Sequence, residues 1–386
     1  MYEIKTYNKI AKVGLDMFGE SYKISDSAEN PVGALVRSAN LHEESFGESL
    51  VAIARAGAGT NNIPTDRLTE SGVAVFNTPS ANANAVKELV ILGLLLSSRK
   101  VVAGIEWARE LRGQGDAVPK LVEAGKSQFA GPELRGKTLG VVGLGAIGVL
   151  VANAAHHLGM TVLGYDPFLS LQNAWNLSHH IRRAADISEI YKKCDYISLH
   201  LPLNKDTKGM IGKNELAMMK KGVRILNFAR DGLVNSADML AAISEGKVLS
   251  YVVDFPTDEM LGVNGVIAIP HLGASTPESE DNCAVMAAKE LVDYIENGNI
   301  TNSVNLPAAS MARSAETRIC VIHRNIPNML SAITAAVADG GANIENLINK
   351  SRDNYAYTML DVNGCNSATV SEKLSATEGV IRVRII

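Results

Sequence analysis

Three polar residues that follow apolar runs are of types that could do chemistry together. Arg230 comes after Asn227-Phe228-Ala229, Glu259 lies shortly beyond Val253-Asp254-Phe255-Pro256, and His271 follows Ile269-Pro270. Oxidising an alcohol by hydride transfer needs a base for the hydroxyl proton, and histidine titrates near neutrality. It also needs a cation for an adjoining carboxylate, which arginine grips with two parallel hydrogen bonds. A carboxylate beside the histidine favours its protonated form; Glu259 is expected there, with Asp258 as the alternative. The hydride acceptor has its own signature in Gly143-Leu144-Gly145-Ala146-Ile147-Gly148. The first glycine permits a tight turn, the second lets backbone approach a pyrophosphate, and the third lets helix and strand pack closely. A helix starting there offers free N–H groups and a positive dipole end. Asp166 ends the next apolar run. Its carboxylate can accept ribose hydroxyls and repels a 2′-phosphate, so NAD is expected rather than NADP.

A second group of cations precedes this one. Arg37 and Arg55 both follow short apolar runs, so both can face one crevice. Cations beyond Arg230 suggest a second anionic group on the substrate, such as a phosphate. The Gly57-Ala58-Gly59 turn exposes backbone N–H groups suited to a carboxylate, and Lys87 is a candidate for a further phosphate contact.

The elements that must hold these groups show in the hydropathy pattern. Ala34–Val36, Val51–Ala54 and Val73–Phe76 read as buried parallel strands, followed by a long helix from about Asn84 to Leu111. A second strand–helix series starts at Thr138 and continues through runs at Thr161–Tyr165, Tyr196–Leu199, Arg224–Asn227, Leu249–Val253 and Val266–Ile269. Such alternation means parallel sheets covered on both faces. Another helix runs from about Pro277 to Asn297, and a stretch of small and polar residues from Asn302 to Ser314 reads as a linker. Glu316–Ile386 then shows the strand-helix-strand-strand-helix-strand order of a ferredoxin-like module.

Composition bounds the function. The chain has 386 residues, 46% hydrophobic and 20% charged, with net charge −4. That suits several soluble domains and gives no footprint for nucleic acid or an anionic membrane. Cys194, Cys283, Cys320 and Cys365 are scattered, so no metal site is expected and a reduced, cytoplasmic setting is. No signal peptide or membrane span is expected. The helix from Asn84 is apolar on more than one face, which points to a homo-oligomer, a dimer or tetramer.

The chain resembles the D-isomer-specific 2-hydroxyacid dehydrogenases over residues 30–306. The resemblance rests on the glycine loop, Asp195-Tyr196-Ile197-Ser198-Leu199-His200-Leu201-Pro202-Leu203, Asn227-Phe228-Ala229-Arg230 and Pro270-His271-Leu272-Gly273-Ala274-Ser275-Thr276. It implies a Rossmann-type cofactor domain (93–283), a doubly wound parallel sheet of α/β class, and a flavodoxin-like substrate domain (1–92 with 284–306). It makes Arg230 the carboxylate-binding residue, His271 the acid/base and Glu259 its partner. It adds His200, Pro202, Phe228, Ala229, Arg230, Asp254, His271, Gly273 and Ala274 to the cofactor pocket. Within the family the arginines resemble those of members acting on D-3-phosphoglycerate, with oxidation to 3-phosphohydroxypyruvate in serine biosynthesis as the implied activity. Rival readings are a glycerate or 2-oxoglutarate reductase type, or a cofactor-sensing binding protein. After a linker (307–315), residues 316–386 resemble an ACT domain, carried by His323-Arg324-Asn325-Ile326-Pro327-Asn328 and Ala342-Asn343-Ile344. That resemblance implies an L-serine effector held by His323, Asn325 and Asn343.

Overall fold

The computed structural model describes residues 1–386. In the first sheet, β1 (Tyr2–Thr6), β2 (Tyr22–Ser25), β3 (Gly33–Val36), β4 (Ala52–Arg55) and β5 (Ala74–Phe76) run parallel in the order β2-β1-β3-β4-β5. This is the expected flavodoxin-like arrangement. β3 and β5 are buried at every position, as an unbroken apolar run requires. β1 and β2 mix in Glu3, Lys5, Lys23 and Ser25, so their apolar signal is weak.

The second sheet holds β6 (Thr138–Val142), β7 (Thr161–Tyr165), β8 (Arg182–Arg183), β9 (Tyr196–Leu199), β10 (Val223–Asn227), β11 (Val248–Val253) and β12 (Val266–Ala268). The order is β12-β11-β10-β9-β6-β7-β8, all parallel. Strand order reverses between β6 and β9, which is where such sheets bind ligands. The third sheet, β13 (Thr317–Arg324), β14 (Asn343–Arg352), β15 (Tyr355–Asn363) and β16 (Val380–Ile385), is antiparallel in the ferredoxin-like order β14-β15-β13-β16.

These sheets belong to two compact units. One is Ala83–Thr276 with the second sheet; the other joins Met1–Asn82 to Pro277–Ile386 and holds the first and third. The borders therefore fall before the expected 92/93 and 283/284, because each border helix packs on a different sheet. Val86, Val90 and Leu94 of helix Ala83–Ser98 enter the core of Leu139, Val141 and Leu226. Helix Pro277–Asn297 buries Cys283, Ala284, Ala287 and Leu291 against the first sheet.

The single helix expected from Asn84 to Leu111 is two, Ala83–Ser98 and Val101–Glu110. Arg224 Nε donates to the Ser97 carbonyl at 2.8 Å, and the hydroxyls of Ser97 and Ser98 turn back to the Leu94 carbonyl. Acceptors that a continuing helix would use are thereby taken. The second of these helices buries no residue within the chain and shows Val101, Val102 and Ile105 to solvent.

The expected linker is packed chain. Ala309 is buried and pairs with Ile300, and the Ser314 N–H and hydroxyl donate to Asp361. One apolar core runs from Ile4, Leu35 and Phe76 through Leu306 to Cys320, Ile322, Tyr357 and Met359. The ferredoxin-like module thus shares with the first sheet's core the face opposite its own helices, which cover Ile319, Val321, Leu360 and Val362 on the other side. Arg382 Nη1 on β16 donates to the Leu50 carbonyl, and Arg384 to those of Tyr294 and Ile295.

Candidate active site

The glycine loop links β6 to helix Ala146–His157, whose N-cap is Gly145. Gly143 has φ +92°, and a Cβ there would stand 2.5 Å from the His200 carbonyl oxygen; one on Gly148 would stand 1.9 Å from that of Gly143. Gly145 is different, because nothing lies within 4 Å of where its Cβ would be. Two glycines close the loop while the middle one keeps space beside it open. No side chain caps the helix start, which leaves amides at Ala146 and Ile147 for a phosphate. Asp166 accepts the N–H groups of Leu144 and Phe168, each at 2.8 Å. Beside it a cavity of about 280 Å³ is lined by Leu144, Gly164, Pro167, Leu177, Ile181 and Arg182. The open glycine, uncapped helix and acid-lined cavity fit a dinucleotide. On the next strand, His200 hydrogen-bonds Ser198 Oγ at 2.8 Å, and burial pushes its imidazole down to about 4, so it stays neutral. Pro202 follows on the surface, its carbonyl accepting from Thr207 Oγ1.

Arg230, Asp254 and His271 follow three neighbouring strands, β10, β11 and β12. Buried Asn227 holds the loop of Phe228, Ala229 and Arg230. Its side-chain oxygen accepts the N–H groups of Ala229 and Arg230 at 3.2 and 3.4 Å, and its amide donates to the Arg230 carbonyl at 2.9 Å. The Arg230 guanidinium is exposed and donates to the Ala229 carbonyl. The Asp254 N–H donates to the Asn227 carbonyl at 3.1 Å, and the Asp254 carbonyl accepts the His271 N–H at 3.1 Å. The Asp254 carboxylate accepts the N–H groups of Leu272 and Gly273 at 2.8 and 3.0 Å. His271 takes φ +51° in this turn, a costly backbone for a residue with a Cβ, and its ring lies 4.5 Å from that of Phe255. Burial raises the Asp254 carboxyl, opposed by those amides and by the charge of His271.

The carboxylate that holds the His271 turn, through the Leu272 and Gly273 amides, is Asp254. Glu259 is exposed on the short turn Asp258–Met260, and its own backbone N–H, first of all, holds its carboxyl below the usual range. Neither Glu259 nor Asp258 hydrogen-bonds His271. Sequence reasoning placed Asp254 in the cofactor pocket and missed its hold on the His271 turn. The signal was a polar residue ending an apolar strand, as at Leu226-Asn227 and Val253-Asp254.

In the other unit, Arg55 Nε donates to the Arg37 carbonyl at 2.9 Å and Nη1 to the Gly59 carbonyl. A Cβ on Gly59 would meet that guanidinium at 2.8 Å. The N–H groups of Ala58 and Gly59 find no acceptor in the chain, while that of Gly57 reaches the Arg55 carbonyl. Free amides beside an arginine make an anion cradle. Arg37 is ion-paired with Glu280. Lys87, on helix Ala83–Ser98, lies 3.7 Å from the Glu88 carboxylate.

Residues 93–273 match the model of the D-isomer specific 2-hydroxyacid dehydrogenase NAD binding domain. The D-3-phosphoglycerate dehydrogenase of Escherichia coli (strain K12) is 32% identical over 356 residues, 88% of this chain and 82% of that one. The chain belongs to the D-isomer specific 2-hydroxyacid dehydrogenases. Another relative in this family, the D-3-phosphoglycerate dehydrogenase of Methanocaldococcus jannaschii, is 34% identical over 307 residues, 78% of this chain. The chain spans only 56% of that relative's length. The crystal structure of NAD+-bound 3-phosphoglycerate dehydrogenase from Entamoeba histolytica superposes with TM-score 0.62 at 27% identity, covering 79% of this chain and 98% of that one. The second sheet with its glycine loop thus lies in the segment that matches the NAD-binding domain of this family. No helix is long and apolar enough to cross a membrane.

The three expected effector residues are not brought together within one chain. His323 is 2% exposed, its ring nitrogens engaged with the Arg324 carbonyl and Thr358 Oγ1. Asn325 follows the same end of β13 and donates to the Asp353 carbonyl. Asn343 pairs with Asn363 at the other end of the sheet and donates to Glu345. Asn328, between His323 and the helix Met329–Asp339, sits at φ +68°, a left-handed position that asparagine tolerates.

Proposed function

We propose that the protein oxidises D-3-phosphoglycerate to 3-phosphohydroxypyruvate with NAD, the entry step of serine biosynthesis, in the cytoplasm. The observation that carries this reading is the succession Arg230, Asp254, His271 on adjacent strand ends of the NAD-binding domain. Arg230 holds the substrate carboxylate and orients the C2 oxygen. His271 takes the hydroxyl proton, and Asp254 fixes the turn on which it sits. When bound, NAD supplies the hydride acceptor. Arg55 with the amides of Ala58 and Gly59 supports an anionic substrate, and Arg37 and Lys87 add cations for a phosphate. The test is NADH formation on adding D-3-phosphoglycerate; absorbance that rises only with an unphosphorylated hydroxy acid would remove the phosphate from the reading.

The chain is also proposed to self-associate through helix Val101–Glu110, whose Val101, Val102 and Ile105 side chains are exposed. Charge reversal at Ile105 (Ile105→Glu) then yields monomers by sedimentation. A serine site using His323, Asn325 and Asn343 together needs the ends of two modules from two copies. A flat calorimetric titration of the wild-type oligomer with L-serine rules that effector out.

A further inference from the structure

Helix Pro277–Asn297 carries a carboxylate on its buried side. Glu290 is 8% exposed, on the face that also buries Cys283, Ala287, Leu291 and Tyr294. Oε1 accepts the Asn302 side-chain amide at 2.5 Å, while Oε2 is buried without a partner. A half-satisfied buried carboxylate is costly, and packing alone would be served by an apolar residue.

What Glu290 holds leads to the substrate loop. The Asn302 carbonyl accepts the Asn77 N–H at 3.4 Å. The Asn77 side-chain amide donates to the Ala58 carbonyl at 2.5 Å, and the Thr78 N–H donates to the Gly57 carbonyl at 3.1 Å. The segment bearing Asn302 is pinned along β5: Ser303 bridges Phe76, the Val304 N–H reaches the Val75 carbonyl, and Asn305 accepts the Val75 N–H. A line of hydrogen bonds therefore runs from Glu290 through Asn302 and Asn77 to Gly57-Ala58-Gly59, whose Gly59 carbonyl is held by Arg55.

We propose that Glu290 is a positioning residue for the substrate: through Asn302 and Asn77 it sets the loop whose Ala58 and Gly59 amides receive the substrate anion. This rests on the assignment of that loop to phosphoglycerate. An ionised carboxylate accepts the Asn302 amide more strongly than the neutral acid does, so the line tightens when Glu290 loses its proton. Burial pushes the Glu290 carboxyl up to about 7, opposed by the Asn302 bond. No charged group on the elements packed against the helix bonds Glu290: Arg384 on β16 donates to the Tyr294 and Ile295 carbonyls, and Arg37 beyond β3 pairs with Glu280. Lys12 and Asp16 beside helix Lys12–Leu15 pair with each other, and Arg55 on β4 couples to Cys283. β3 and β5 bring no titratable side chain, and neither does Thr301–Leu306. On the helix itself, Asp293 accepts Asn297 and Asn299.

The test is the pH dependence of KM for D-3-phosphoglycerate between pH 6 and 8.5 in the wild type and Glu290→Gln, each with saturating NAD. The expected wild-type KM rises about fivefold, the worth of one hydrogen bond, as pH falls through 7, beyond what the substrate phosphate's own titration gives. In Glu290→Gln that extra limb is gone and KM at pH 8 is raised, while kcat stays within about twofold. Asn302→Ala removes the only partner of the Glu290 carboxylate and is likewise expected to raise KM at pH 8. A wild-type KM limb retained in full by Glu290→Gln, or a variant that lowers kcat with KM unchanged, overturns the proposal. A wild type that forms no NADH from D-3-phosphoglycerate overturns the substrate assignment, and the proposal with it. Folding is checked separately. A carboxyl raised on folding costs stability once pH exceeds its unfolded value and the full cost is reached above its folded one. Glu290→Gln is therefore expected to raise Tm at pH 8 relative to wild type and to leave it unchanged at pH 4.

Discussion

Asp254 spends its charge on two backbone amides and on the field at His271, and this makes it a sharper probe than Glu259. Asp254→Asn keeps the volume but loses one acceptor for the amides of Leu272 and Gly273, so the left-handed backbone of His271 is less well held. We expect kcat to fall about 100-fold or more, because a displaced acid/base acts on the chemical step. Glu259→Gln, on an exposed turn, is expected to change kcat by less than about fivefold. Steady-state kinetics of the two variants decide between the carboxylates; the reverse ranking would restore Glu259 as the partner. The types needed for the chemistry, Arg230 and His271, were legible because each follows an apolar run. The hold of Asp254 on residues 271–273 was not, since hydropathy does not encode that turn.

At the scale of the elements, the strand-to-helix turn after β6 separates two uses of glycine. Gly148→Ala puts a methyl against the Gly143 carbonyl, so it should lower Tm and give little folded protein. Gly145→Ala meets only open space, so Tm is expected to be unchanged while KM for NAD rises about tenfold or more. Thermal melts without cofactor, set beside the NAD kinetics, check both. The parallel strands were legible where both faces are buried, as in β3, β5 and β9. β1 and β2, with Glu3 and Lys5 and with Lys23 and Ser25 on alternate positions, were not. The stop between Ser98 and Val101 escaped the sequence because it is made by Arg224, 127 positions away from Ser97.

For the whole molecule, the unit that contains the first and third sheets is secured by a fully buried ion pair, Arg318 with Asp361, at 2.6 and 2.9 Å. Burial alone would raise the Asp361 carboxyl, but Arg318 and the Ser314 donors overrule it and the group lies below its ordinary value. A carboxyl lowered on folding stabilises above its unfolded value and loses that contribution as pH falls through the folded one. Acid unfolding should therefore begin below about pH 4. Asp361→Ala leaves a buried guanidinium unpaired and is expected to cost about 3–5 kcal/mol, read as a lower midpoint in urea. The module after residue 316 was recognisable from its strand and helix order, but its fusion to the first sheet was not, because the chain between them looks like a tether. That fusion sets an order of assembly at the ribosome. Ala83–Thr276 is continuous and can close while the rest is still being made. Met1–Asn82 cannot, since its partners in the shared core include Tyr294, Tyr357 and Met359, and its Leu50 carbonyl waits for Arg382. Residues 1–82 are thus made before residues 277–386 yet reach their final neighbours only after them, and removal of β16 would take away the donor to the Leu50 carbonyl.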